Sequence, residues 1–230
     1  MGVEFDAVVF DAGGVLMVPT PEVFGPLVAE FDGDDSEATI VRAHYVAMHA
    51  QDRHSLAEQD WDVYDRAFVM ACGVARSAVD DAQVAFRTAM ASDVDLWRWP
   101  LPASLAVLQR LDAMGVPMAV VSNADGQIED TLRRVGVCQV GSGELASMVA
   151  VVDSAVVGVS KPDPRIFRFA LDALGVAPER CLYVGDSIGK DVIGAGNAGM
   201  HAVHVDPYDL HRGADHDRIS SLEELVRWLA

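Results

Sequence analysis

Three short apolar runs in this chain each stop abruptly at a polar residue. Ala7-Val8-Val9-Phe10 ends at Asp11, Pro117 to Val121 ends at Ser122, and Cys181 to Gly185 ends at Asp186. Unbroken apolar runs of this length, without alternation, are expected of strands buried on both faces. A weaker run over Met148–Val152 and another over Ala202–Val205 read as further strands. Between them the spacing turns helical. Leu105, Leu108 and Leu111 line one face of a helix over Ser104–Met114, with Gly115 as its terminator. Gln127–Val135 and Pro164–Leu174 read the same way, the second entered through Asp163 as N-cap with Pro164 at its first position. The stretch Ser221–Leu229 carries a capping box and an apolar stripe at Leu222, Leu225, Val226 and Leu229. Strands alternating with helices predict an α/β fold, a doubly wound parallel sheet with its site at the carboxyl ends of the strands.

One long segment breaks that rhythm. After Met17-Val18-Pro19-Thr20-Pro21, an exit stiffened by proline, Phe24–Phe31, Ser36–Gln51, Trp61–Cys72 and Ser77–Met90 carry helical spacing. Gly25-Pro26 is expected to interrupt the first, so that it starts only at Pro26. In the second, Ile40, His44, Ala47 and Met48 share a face. Trp97-Arg98-Trp99-Pro100 then leads back to the strand–helix pattern. The expected organisation is an α/β core from residues 1–16 and 100–230, with an all-helical module over 17–99 inserted after the first strand.

Composition narrows the function. At 230 residues and 51% apolar content, the chain can bury a large core. A net charge of −18 disfavours nucleic acid and anionic membrane surfaces as partners. No apolar run reaches the length of a membrane span, and the first residues lack the basic start of a secretory leader. Cys72, Cys138 and Cys181 show no paired spacing and read as buried thiols in a reducing compartment, so the cytoplasm is the expected location. Fifteen of the 17 basic residues are arginine, which leaves Lys161 and Lys190 conspicuous. Lys161 is singled out for chemistry, while Lys190 reads as an ordinary surface residue.

Asp11 is the first candidate. A carboxylate delivered by a buried strand into Gly13-Gly14 loses solvation unless a cation compensates it. By position alone it reads equally as a solvated turn or capping residue. Gly194-Ala-Gly-Asn-Ala-Gly199 matches a dinucleotide-binding GxGxxG, but it lies at the far end of a helix rather than directly after a strand. Close helix–sheet packing explains it better.

Taken in order, Asp11-Ala12-Gly13-Gly14-Val15, Ser122-Asn123, Lys161-Pro162-Asp163-Pro164 and Gly185-Asp186-Ser187-Ile188-Gly189-Lys190-Asp191 resemble the four motifs of the haloacid dehalogenase superfamily. The inserted helical module is similar to the cap of its phosphatase branch. The resemblance implies a Rossmann-like core and hydrolysis of a small phosphorylated metabolite through an aspartyl-phosphate on Asp11. It implies Mg2+ held by the Asp11 carboxylate, the Gly13 carbonyl and Asp186, with Asp191 as a further ligand or as an acceptor behind the ligands. Ser122 and Asn123 would contact the phosphate, and Lys161 would neutralise charge on Asp11 and the phosphoryl group. His44, His49, Arg53 and His54 fall where family caps read substrates, though each also reads as an ordinary helix side chain.

The sequence departs from the family at one catalytic position. Phosphatases of the superfamily usually carry a second Asp, the general acid and base, two residues after the nucleophile; here that residue is Gly13. A phosphomutase and a dehalogenase are disfavoured. Phosphonate cleavage through a cap lysine is excluded, because no lysine precedes Lys161. The expectation is a phosphomonoesterase with an impaired or replaced acid. Its competitor is a catalytically weak phosphate-binding or regulatory protein on the same fold.

Overall fold

The structure is a computed structural model that describes residues 5–92 and 96–229; the first four residues, on which the leader expectation bears, lie outside these. The chain forms two compact units, one running to Met17 and resuming at Pro100, the other spanning Val18–Trp99. In chain order, β1 (Ala7–Phe10) and β2 (Met17–Pro19) precede α1 (Pro21–Ala29), α2 (Glu37–His54), α3 (Trp61–Ala71) and α4 (Val79–Ser92). Next come β3 (Trp97–Pro100), which pairs with β2, then α5 (Pro102–Ala113), β4 (Met118–Ser122) and α6 (Ile128–Arg134). β5 (Cys138–Val140), β6 (Ala146–Met148), β7 (Ala150–Asp153), α7 (Ser154–Val157) and α8 (Arg165–Leu174) follow. The chain closes with β8 (Cys181–Gly185), α9 (Ile193–Asn197), β9 (His201–Val205) and β10 (Arg218–Ile219).

In the first unit, six strands form one parallel sheet in the order β10-β9-β8-β1-β4-β7. The chain winds outward in one direction through β4 and β7 and in the other through β8, β9 and β10. The direction reverses at β1, and a crevice opens at the carboxyl ends beside such a reversal. Phe10 is level with Val120 on one side and Val184 on the other. Asp11, Ser122 and Asp186 therefore all leave the sheet at that one edge. Every residue of β1, β4 and β8 is buried, which explains their unbroken apolar character. α8 covers one face, placing Ile166, Phe167, Ala170 and Leu171 against Val9, Val121 and Tyr183.

The second unit packs α1 to α4 around Phe24, Tyr64, Phe68 and Phe86, with the Phe24 and Phe86 rings stacked at 4.5 Å. The face of α2 expected from spacing is the buried one. His44 belongs to that core, its Nδ1 2.8 Å from the Tyr64 hydroxyl.

Several boundaries differ from the sequence expectations. α1 begins at Pro21 and runs through Pro26, since Pro21 stands at the helix start and burial of Phe24, Gly25 and Val28 holds the next turn. Met148–Val152 is two strands rather than one: β6 pairs with β5, β7 pairs with β4, and Val149 is the step between the two ladders. α8 starts at Arg165, one residue later than expected, although the Asp163 carboxylate still accepts the Arg165 N–H at 2.9 Å. The closing helix is a 3₁₀ turn over Leu222–Arg227. Ser221 caps it by accepting the Glu223 N–H, and the Glu224 carboxylate accepts the Ser220 N–H at 2.9 Å. Among the described residues, no helix is long and apolar enough to cross a membrane.

Candidate active site

Asp11 follows the last residue of β1, its backbone N–H donated to the Val184 carbonyl at 2.8 Å. Its carboxylate Oδ1 accepts from the Ala12 N–H at 2.7 Å and lies 2.8 Å from Lys161 Nζ. Lys161 sits in the loop before α8, and its backbone is clamped by a single side chain. Asn123 Oδ1 accepts the Lys161 N–H at 2.7 Å, and Asn123 Nδ2 donates to the Lys161 carbonyl at 3.0 Å. The structure thus uses both ends of the Asn123 side-chain amide to hold Lys161.

The ammonium of Lys161 has three partners for its three protons: Asp11, Asp191 Oδ1 at 2.8 Å and the Tyr183 hydroxyl at 3.1 Å. Tyr183 in turn donates to Asp191 Oδ1 at 2.8 Å. The other oxygen of Asp191 accepts the N–H groups of Asp186 and Ser187 at 3.2 and 3.0 Å. Asp191 lies in a π-helical turn, Ile188–Val192, which brings its carboxylate back over the end of β8. With four protein donors already on it, Asp191 ties together the turn after β8, the lysine and the tyrosine.

Gly185 makes this return possible. A Cβ placed there would lie 2.3 Å from both Cβ and Cγ of Asp191. The clash is at the root of that side chain, so bending its tip cannot relieve it. Gly185→Ala is expected to cost about 1–3 kcal/mol of stability, the usual range for forced overpacking. Chemical denaturation checks this, and a wild-type midpoint would contradict the packing.

Oxygen atoms of Asp11, Asp186 and Asp191 all lie within 4.8 Å of one another, and all three residues are buried. Burial, reinforced by Asp191 and Asp186, pushes the Asp11 carboxyl up to about 7 against the downward pull of Lys161. For Lys161, burial disfavours the charge, but Asp11 and Asp191 more than offset it and hold its pKa above the ordinary lysine value. Three carboxylates facing one lysine leave a negative excess. The hard oxygen donors suit a divalent cation. Lys190 is not the ordinary surface residue expected. It is half-buried, and burial together with the charge on Lys161 lowers its pKa.

Gly13 is half-buried and forms an isolated bridge to Met17, while Gly14 takes the left-handed conformation at φ 66°. Ser122 is buried at the end of β4, level with Asp153 on β7. Asp153 Oδ2 accepts the N–H groups of Gly126 and Ile128, at 2.8 and 3.3 Å, and Ser154 Oγ accepts that of Ala124 at 3.0 Å. The loop after Ser122 is therefore held from the neighbouring strand end.

Tyr183, Asp153 and Ser154 escaped the sequence reading. Tyr183 hides in an apolar run, and only its hydroxyl marked it. Asp153-Ser154 repeats the signal used elsewhere, a polar residue closing an apolar strand. Two glycines of the 194–199 run have separate causes, while a Cβ at Gly196 would meet nothing within 4 Å. A Cβ at Gly194 would meet Phe167 and Pro162 at 3.1 Å, so the close contact is with α8 and the lysine loop rather than the sheet. Gly199 has φ 87°, a conformation that favours glycine.

The doubly wound sheet thus gathers three buried carboxylates and a buried lysine at its topological switch point. The chain matches the haloacid dehalogenase-like hydrolase family over residues 5–199 and belongs to it. It is 43% identical to a phosphoserine phosphatase of Thermus thermophilus over 110 residues, 47% of this chain and 42% of that protein. It is 37% identical to a glyceraldehyde 3-phosphate phosphatase of Methanopyrus kandleri over 107 residues, 46% of this chain and 43% of that protein. These matches span less than half the length of either relative. A haloacid dehalogenase-like phosphatase from Thermococcus onnurineus shares the fold with a TM-score of 0.62, at 23% identity over 98% of both chains.

Proposed function

We propose that this chain is a Mg2+-dependent phosphomonoester hydrolase of the cytoplasm, acting on a small phosphorylated metabolite through a phosphorylated Asp11. The observation that carries the reading is the buried Lys161 shared between Asp11 and Asp191, with Asp186 within 4.8 Å of both carboxylates. The phosphatase names of the two partial relatives support the substrate class.

Lys161 and the Ala12 N–H both converge on Asp11 Oδ1, which fixes the orientation of the nucleophile. The Asp11 carboxylate attacks phosphorus, a bond forms between them, and the bond to the leaving oxygen breaks. Water then attacks the same phosphorus, releasing inorganic phosphate and restoring Asp11. Ser122 donates its hydroxyl to a phosphoryl oxygen, while Asn123, through its two bonds to the Lys161 backbone, keeps the ammonium in place. Mg2+, held by Asp11, Asp186 and the Gly13 carbonyl with Asp191 as the acceptor behind them, would balance the carboxylates and neutralise phosphoryl charge. Gly13 offers no proton to the departing oxygen. The preferred substrates are then those with good leaving groups, such as anomeric or aryl phosphates.

p-Nitrophenyl phosphate is expected to turn over with Mg2+ and not with a chelator. Acid quenching during turnover should leave phosphate on the peptide that carries Asp11. Absence of both signals would favour the phosphate-binding or regulatory reading instead.

A further inference from the structure

Outside the carboxylate cluster, three histidines and an aspartate converge next to the end of β8. His204 lies in β9 opposite Gly185, and it is almost completely buried. Its Nε2 is 3.1 Å from the backbone carbonyl of Asp186, and its Nδ1 is 2.9 Å from Nε2 of His216, just before β10. The His211 ring closes over it edge-on at 4.5 Å, next to Asp206.

The hydrogens in this chain follow from the acceptor at its inner end. A carbonyl can only accept, so His204 Nε2 must carry the proton. In a neutral imidazole the other nitrogen is then an acceptor, and His216 must donate its Nε2–H to it. Two tautomers are thus set by one backbone oxygen. The carbonyl they hold belongs to the residue whose carboxylate faces Asp11. On its other side, the N–H of that same residue is held by Asp191.

We propose that His204, locked by His216, is a positioning residue for Asp186: it pins the peptide of Asp186 from the β9 side so that the carboxylate stays aimed at Asp11. Asp191 grips the amide end and His204 the carbonyl end, which leaves the turn after β8 little freedom. The inference rests on the reading that Asp186 holds the cation. Oriented hydrogen bonds behind a ligand typically change metal affinity by about 10- to 100-fold when removed.

The test uses nitrogen-detected imidazole NMR on the full chain together with calorimetric Mg2+ binding. Both His204 and His216 should show the Nε2–H tautomer at neutral pH. His204→Gln, which keeps an N–H near the same place, should bind Mg2+ within a few-fold of wild type, whereas His204→Met should bind about 10-fold or more weakly. His216→Ala, at a half-buried position, should weaken binding by less and guards against a His204→Met protein that fails to fold. An Nδ1–H tautomer at His204 would overturn the proposal. So would Met and Gln variants that both bind Mg2+ like wild type. A wild-type protein that binds no Mg2+ instead defeats the metal reading, and it does so before any substitution is made.

Discussion

Asp11→Asn is expected to abolish phosphatase turnover and, in the metal-free protein, to raise the thermal midpoint. The loss is the larger effect, because an amide cannot serve as the nucleophile, and activity should fall by at least about 10⁴-fold, the scale seen when a catalytic group is removed. The gain has a separate origin. Asp11, Asp186 and Asp191 share a buried space with one lysine. Asparagine keeps an oxygen for Lys161 and Ala12 while removing one of the three negative charges. Sites arranged for chemistry commonly hold about 1–2 kcal/mol that a substitution can release, or roughly 2–8 °C for a chain of this size.

The sign of the pH dependence follows from the Asp11 carboxyl, raised from 3.8 to about 7 chiefly by burial. Between those values the folded protein keeps a proton that the unfolded chain has released. Stability of the metal-free protein therefore declines as pH rises from about 4 to 7 and levels off above that. Asparagine has no such proton. The midpoints of variant and wild type should be close at pH 5 and clearly separated at pH 8. Mg2+, which binds the ionised form, should raise the wild-type midpoint more at pH 8 than at pH 5. Calorimetric scans with a chelator decide it: a variant less stable than wild type at pH 8 would show that Lys161 alone compensates the cluster.

The parts of this site legible in the sequence are those that sit at ends of buried strands. Asp11, Ser122 and Asp186 could be placed together because parallel strands share an edge, and each broke an apolar run at the same relative point. Lys161 stood out through lysine scarcity. What stayed hidden depends on contacts between distant elements. The clamp of Asn123 on Lys161 stayed hidden because nothing local shows that its amide spans the Lys161 backbone, 38 residues away. Tyr183 looked like core, and in packing it is core, edge-on to Phe167 at 5.0 Å, yet its hydroxyl completes the lysine's shell. Lys190 looked exposed because the π-helical turn that half-buries it has no periodic signature. The division of Met148–Val152 into two strands escaped for a similar reason, since which ladder each half joins is a tertiary choice.

Gly13→Asp is expected to raise turnover of simple alkyl phosphates about 10- to 100-fold, a substantial part of what general acid–base catalysis contributes. On p-nitrophenyl phosphate it should do far less. An alkoxide is a poor leaving group and needs a proton as its bond to phosphorus breaks; nitrophenolate leaves without one. The backbone can accept the change: Gly14 rather than Gly13 carries the left-handed conformation, and Gly13 is only half-buried. The surrounding carboxylates would hold the new acid's pKa above its ordinary value, which favours the protonated form that a leaving group requires. Gly13→Ala separates this from a steric effect, since it adds the Cβ without the acid and should help neither substrate. Comparison of kcat/KM for glycerol phosphate and p-nitrophenyl phosphate in the three proteins provides the measurement. Equal changes on both substrates would mean that protonation of the leaving group never limited the reaction and that a group other than residue 13 already supplies the proton.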